Sequence, residues 1–381
     1  MKIKDWLILF FLHFAFLAKG QVDSQGTSLS FRKQRTDFSK SRFVWAPQWL
    51  VSFQWGGIWA HNEQVDHLAQ SHPVQLTVEY HLQNPNKDWC RNFRMATSGV
   101  SLVYLDYRSK VMGRSLALFP FLEPRLSPGF SFKVGTGLVW NSKPFSLDNS
   151  TNVMLSSPVA MVMHGQLNWR PFVRKPGLSP DRHGIQKIQL GLGLTHFSNG
   201  AYSQPNTGIN LFFLSLGYWI DRGLGCYKGA PDAEPSLPKW FGFVSGAFSL
   251  VEKYPIYGPK YPVFQIQTRL GYRIGKLHAF MVGPDFMHNL AFSKEIEENP
   301  VLGTDGRTIG LAFGHELRIS KRLFLNTAWG KYLYKNHQLT SDHYQRYGLR
   351  LKWTRSLYSG FYLKTHRAKA ECIEFQMGWE W

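Results

Sequence analysis

In the stretch LGLGLTHFSNGAYSQPNTGINLFFLSLGYW (190–219) a histidine and a serine stand two residues apart, His196 and Ser198, and Asn210 follows a short polar loop. A serine hydroxyl is a weak nucleophile until an adjacent base takes its proton, and histidine titrates where that work is needed near neutral pH. A third group has to hold the imidazole in one tautomer. Nearby amides have to stabilise an oxyanion, and Asn199, Gly200 and Asn206 lie in the connecting loop to do so. The chemistry such a set could perform is hydrolysis of an ester through a covalent acyl intermediate.

The elements around these residues decide which way they point. In a β-strand, residues i, i+2 and i+4 share a face. Ile188, Leu190, Leu192 and Leu194 are apolar and even, while Gln189, Gly191, Gly193 and Thr195 between them are small or polar. His196 and Ser198 continue the apolar row. Phe212, Leu214, Leu216 and Tyr218 form the matching row of the next strand, with Asn210 extending it toward the turn. A turn centred near Ser203 places His196 directly opposite Asn210.

The same alternation recurs along the chain. Fourteen segments carry it: 74–83, 100–108, 129–140, 160–169, 186–197, 210–220, 240–251, 263–274, 277–290, 308–319, 323–334, 344–353, 360–367 and 373–381. Aromatic residues make up 15% of the chain, yet no segment past the N-terminus holds 18 consecutive apolar residues, so a membrane helix is not expected there. Alternating segments with turn residues between them predict an all-β fold, a transmembrane antiparallel β-barrel of about 12–14 strands over 73–381. The apolar even rows of the 190–219 hairpin then face lipid, and the polar trio lies at the rim, among head groups. The last segment puts Phe375, Met377, Trp379 and Trp381 on one face and ends on an aromatic, as outer-membrane barrels commonly do.

Residues 1–20 read as a signal peptide: Lys2 and Lys4, an apolar run from Trp6 to Ala18, then Ala-Lys-Gly. Residues 21–72 are polar and basic at first, then aromatic, and read as a partly flexible segment ending in an early strand or a barrel plug. The net charge of +19 calls for an anionic partner. For an exported chain that partner is the phosphate of lipopolysaccharide and not nucleic acid. Cys90, Cys226 and Cys372 allow one disulfide, its pairing open, with one thiol over. Their spacing fits no metal template, and no nucleophile elbow, phosphate loop or dinucleotide fingerprint is present, so no metal or cofactor is expected.

HFSNGAYSQPNTGIN (196–210) resembles the signature of the PagL-type lipid A 3-O-deacylases, and the chain's length is similar to that of larger relatives labelled acyloxyacyl hydrolases. The shared residues are His196, Ser198, Asn199, Gln204, Pro205, Asn206, Gly208 and Ile209. The resemblance implies Ser198 as nucleophile, His196 as base and Asn206 as oxyanion donor. The family's third triad member is a glutamate where this chain has Asn210; an asparagine can orient a histidine without supplying a full charge. Glu316 and Asp285 are the other acids that could serve.

The expected function is therefore an outer-membrane serine esterase of a Gram-negative bacterium. It would remove an ester-linked acyl chain from lipid A without a cofactor, with outer-membrane lipid as its surroundings and a homodimer left open. A related esterase acting on phospholipid would use the same residues. The rival is a non-enzymatic channel or structural barrel.

Overall fold

A computed structural model describes residues 48–60, 63–84, 87–127, 129–171, 187–220, 237–253, 256–367 and 369–381. The expected signal peptide, the polar start of the N-terminal segment and Cys226 lie outside these residues. The chain is all-β and antiparallel, as the alternation predicts, but its strands close into two rings and not one ring of 12–14.

The first ring runs β1 (Gln48–Ile58), β2 (Val74–Leu82), β3 (Thr97–Asp106), β4 (Arg114–Glu123), β6 (Phe130–Asn141), β7 (Val159–Trp169), β8 (Ile188–Ser198) and β9 (Ile209–Trp219). A β9–β1 pairing and a β4–β6 pairing close it, and the short β5 (Arg125–Ser127) attaches beside β6. The second ring is β10 (Trp240–Glu252), β11 (Lys260–Ile274), β12 (His278–Asn289), β13 (Gly303–Arg318), β14 (Leu323–His337), β15 (His343–Lys352), β16 (Leu357–His366) and β17 (Lys369–Glu380), closed by β10 on β17. Eight strands leave an interior that side chains can fill, so each half of the chain completes a barrel of its own.

All fourteen alternating segments are strands. The aromatic stretch before residue 60 supplies β1, with Trp49, Phe53 and Trp55 exposed on the outside and Leu50, Ser52 and Gln54 buried inside. The alternation misses β4 for a physical reason. Leu116 and Leu118 face outward, while Ala117, Phe119 and Phe121 face an interior that is apolar at that height. Both faces are apolar, so the strand carries no period-two contrast.

Each lumen is filled. In the first barrel Val103, Phe119, Val139, Val162 and Phe197 pack beneath Val65, Leu68, Met154 and Leu155, which come from loops folded over one mouth. Toward the other mouth the interior is polar: buried Glu79 accepts from Ser101 at 3.1 Å, contacts His81 Nε2 at 2.8 Å and pairs with Lys133. In the second barrel Arg346 meets Asp285 at 2.7 Å and Glu374 at 2.9 Å, and Arg350 meets Glu380 at 2.7 Å and also Glu316. A cavity of about 20 Å³ beside Arg346 and Tyr362 has room for about one water.

The outer faces are apolar around both rings, with Leu138, Leu192 and Leu214 exposed on the first and Ile266, Leu270 and Phe375 on the second. Among the described residues no helix is long and apolar enough to cross a membrane. Cys90 and Cys372 are free and buried in different barrels, and burial pushes the Cys90 thiol up to about 11. The loops after β1, β3, β6 and β8 gather at one end of the first barrel, the loops after β10, β12, β14 and β16 at one end of the second. The barrels touch near both ends: Phe93 and Ala96 pack with Leu317 at one, and Phe145 and Tyr257 meet at the other.

Candidate active site

On β8 the residues alternate as the sequence predicts. Gln189, Gly191, Gly193, Thr195 and Phe197 are buried in the lumen, and His196 and Ser198 lie half-buried on the outside. On β9 Asn210 is half-buried outside, above exposed Phe212, Leu214 and Leu216. The β8–β9 register pairs His196 with Asn210 across the hairpin. On the other side β7 sets Met163 opposite His196 and Met161 opposite Ser198. The polar trio is thus embedded in an apolar outer surface, at the end where the loop 199–208 emerges.

His196 Nδ1 lies 2.8 Å from Asn210 Oδ1. An amide oxygen only accepts, so Nδ1 carries the proton, and Nε2 keeps the lone pair of a base. Gly208 lies against the Cε1 edge of the ring. Its φ is +74°, and a Cβ there would be 2.9 Å from His196 Cε1 and 3.0 Å from the Phe197 carbonyl oxygen. Only glycine combines that left-handed backbone with so close an approach.

Ser198 ends β8, and its Oγ accepts from the Gly200 N–H at 3.2 Å and from Asn206 Nδ2 at 3.1 Å. Two donors therefore converge on the Ser198 hydroxyl oxygen. Asn206 is itself oriented, because its Oδ1 accepts from the Asn199 backbone N–H at 3.3 Å. The Asn199 side chain turns away: Nδ2 donates to Ser156 Oγ at 2.8 Å and to the Ser203 carbonyl at 3.0 Å. Of the three loop residues singled out in the sequence, Gly200 and Asn206 reach Ser198 and Asn199 braces them from behind.

The rest of the loop is held on the first barrel by backbone bonds. The Gly208 N–H reaches the Met154 carbonyl at 3.1 Å, and the Thr207 hydroxyl reaches the Val153 carbonyl at 3.0 Å. Ser156 carries no local signal in the sequence; long-range pairing brings it to Asn199, whereas Ser203 lies four residues along the same loop. Glu316 and Asp285 are not brought to the trio. Both lie inside the second barrel, Glu316 on Arg350 and Asp285 on Arg346 and Arg269. A lumen-facing carboxylate paired to a buried arginine cannot reach an imidazole on the outer wall of another barrel. Among the described residues no group of three or more His, Cys, Asp or Glu side chains is arranged to hold a metal ion.

Comparison with known proteins bears on both halves of the chain. Solved structures that overlap it include the NanC porin (7% identity, 87% of this chain and 97% of that chain, TM-score 0.20) and a variant of the Rh. blastica porin (8%, 89% and 100%, 0.20). A third is the siderophore receptor PirA from Pseudomonas aeruginosa (9%, 90% and 81%, 0.21). At those TM-scores the overlaps carry no argument. No curated protein sequence matches the chain. The family described as "Acyloxyacyl hydrolase, C-terminal domain" matches residues 240–381, the whole second barrel. The family described as "Lipid A 3-O-deacylase (PagL)" matches residues 26–219, half of the chain and the barrel that carries His196, Ser198 and Asn210. With one family covering each barrel, the chain belongs to the PagL family of lipid A 3-O-deacylases, hydrolases that act on lipid A.

Proposed function

We propose that the protein is an outer-membrane serine esterase that removes an ester-linked acyl chain from lipid A, the 3-O position being the one the family description names. The observation that carries this reading is the convergence of the Gly200 N–H and Asn206 Nδ2 on Ser198 Oγ, beside a histidine whose Nδ1 is tied to Asn210.

In the proposed mechanism His196 Nε2 takes the Ser198 proton as Oγ attacks the acyl carbonyl carbon. Once Oγ is bonded to that carbon, the Gly200 and Asn206 donors serve the carbonyl oxygen, which has become an oxyanion. Protonated His196 gives its proton to the departing sugar oxygen, and the C–O ester bond breaks. A water then gives a proton to His196 and attacks the acyl-enzyme; the Oγ–acyl bond breaks, His196 returns the proton to Ser198 Oγ, and a fatty acid leaves. Asn210 keeps the tautomer through both halves, with no charge of its own to set against the imidazolium.

The place of the trio supports this location and substrate. Apolar outer walls suit two barrels spanning a membrane side by side. Catalytic groups on the wall, near one end, meet lipid where acyl chains join their head group. The net charge of +19 suits a phosphorylated, polyanionic lipid. Filled lumens speak against the channel reading.

The test is mass spectrometry of lipid A from a Gram-negative host expressing the wild type or Ser198→Ala. Loss of one hydroxyacyl chain with the wild type alone is expected. Intact lipid A with a folded wild type in the outer membrane would overturn the proposal.

A further inference from the structure

A buried carboxylate of the second barrel, Glu252, meets the loop that follows Ser198. Ser203 Oγ donates to Glu252 Oε2 at 2.8 Å, across the boundary between the barrels. The Glu252 backbone N–H donates to the Ala201 carbonyl at 3.1 Å. Glu252 is 5% exposed and its other oxygen accepts the Tyr257 N–H at 2.6 Å, so the carboxylate is fixed from its own side before it meets the loop. Lys260, 3.7 Å from Glu252 Oε2, lies over the Tyr202 ring at 4.8 Å. Ile373 of β17 packs against Gly200 so closely that a Cβ there would be 2.2 Å from its Cγ1.

The loop needs such a hold. Gly200 and Ala201 both have left-handed backbone, φ +61° and +65°. For glycine that conformation is free. For alanine it is strained, and strained residues persist where their surroundings over-determine them. The Ala201 carbonyl and the Ser203 hydroxyl, the groups flanking the strained turn, are both bound by Glu252. The Ser203 carbonyl in turn anchors Ser156 at 2.7 Å and Asn199 at 3.0 Å. Asn199 directs its backbone N–H to Asn206, and the Gly200 N–H faces Ser198 Oγ.

We infer that Glu252 is a positioning residue for the Ser198 site: from the second barrel it holds the 199–203 loop in the turn that aims the Gly200 N–H, and through Asn199 the Asn206 amide, at the nucleophile. The inference rests on the esterase reading given above for Ser198. It gives the C-terminal barrel a catalytic purpose, since without its β10 end the loop loses the two contacts that keep Ala201 left-handed.

The experiment uses the full chain with Glu252→Ala, Glu252→Gln, Ser203→Ala and the Glu252→Ala/Ser203→Ala pair. It reads kcat and KM on lipid A, and amide hydrogen exchange of the 199–206 segment. Misplacing catalytic donors by about an ångström costs on the order of 10²-fold. Glu252→Ala is therefore expected to lower kcat by about 10- to 100-fold with KM changed little, and to speed exchange of the loop. Glu252→Gln keeps an acceptor and is expected to recover most of kcat. The double variant is expected to be no slower than Glu252→Ala, because both remove one contact. Wild-type kcat and wild-type loop exchange in Glu252→Ala overturn the inference while leaving the esterase reading intact. If the wild type does not cleave lipid A, that reading fails, and the exchange arm alone decides the inference, unchanged protection overturning it. Should Glu252→Ala not fold, Glu252→Gln and Ser203→Ala take its place, and wild-type kcat and exchange in Ser203→Ala overturn it.

Discussion

His196 and Asn210 stand opposite each other on neighbouring strands, with Nδ1 2.8 Å from Oδ1, so an uncharged amide occupies the place where an imidazole in a triad is usually met by a carboxylate. The hydrogen bond sets the tautomer. It supplies no negative charge to the imidazolium that would form in the proposed attack by Ser198. A carboxylate would add a charge-assisted bond, roughly twice as strong as a neutral one. Asn210→Glu is therefore expected to raise kcat by roughly 3- to 30-fold. Asn210→Leu, which removes the Nδ1–Oδ1 hydrogen bond, is expected to lower it by about 100-fold or more. Lipid A turnover by the purified variants checks both directions.

Asn206 is expected to act in the transition state and not in binding. Replacing one oxyanion donor costs about 10²- to 10³-fold in kcat in serine hydrolases. Asn206→Ala should fall in that range with KM within a few-fold of wild type, while Ser198→Ala should leave no turnover. A rise in KM at constant kcat would assign Asn206 to substrate binding instead.

Gly208 has to remain glycine for two separate reasons, its φ of +74° and the 2.9 Å that would separate a Cβ from His196 Cε1. The backbone term alone is roughly 1–2 kcal/mol for an L-residue. The contact would also push the imidazole away from its place against Asn210. Gly208→Ala is expected to lower kcat far more than it lowers stability, measured as turnover beside the urea midpoint of the folded barrel.

The buried arginine of the second lumen is a stability residue. Arg350 is 0% exposed and holds both Glu316 and Glu380. Its removal takes the paired cation from Glu316, while Glu380 keeps Lys352 and Arg273, and breaking such a buried pair costs about 3–5 kcal/mol. Arg350→Met should lose that much in urea unfolding in lipid vesicles, and adding Glu316→Gln should restore part of it.

Filled lumens predict no conduction. Planar-bilayer recordings of the wild type are expected to stay at baseline. Steady open steps would show a path that Phe119 and Phe197 in one barrel and Arg346 and Arg350 in the other now block.

What the sequence determined by itself is local. Alternation has a period of two and survives any tertiary arrangement, so the strands, the outward direction of His196, Ser198 and Asn210, and the His196–Asn210 pairing through their shared hairpin were all legible in it. β4 escaped because Phe119 and Phe121 face an apolar interior, which erases the contrast between faces. Only the tertiary structure decided which strands close on which. β9 returns to β1 and β10 meets β17, contacts between residues far apart in the chain that no local period encodes. That closure put Glu316 and Asp285 inside a lumen, away from the histidine they could have served. It also carried Glu252 to Ser203, because a carboxylate acquires a partner from the loop that packing brings beside it and not from its neighbours in sequence.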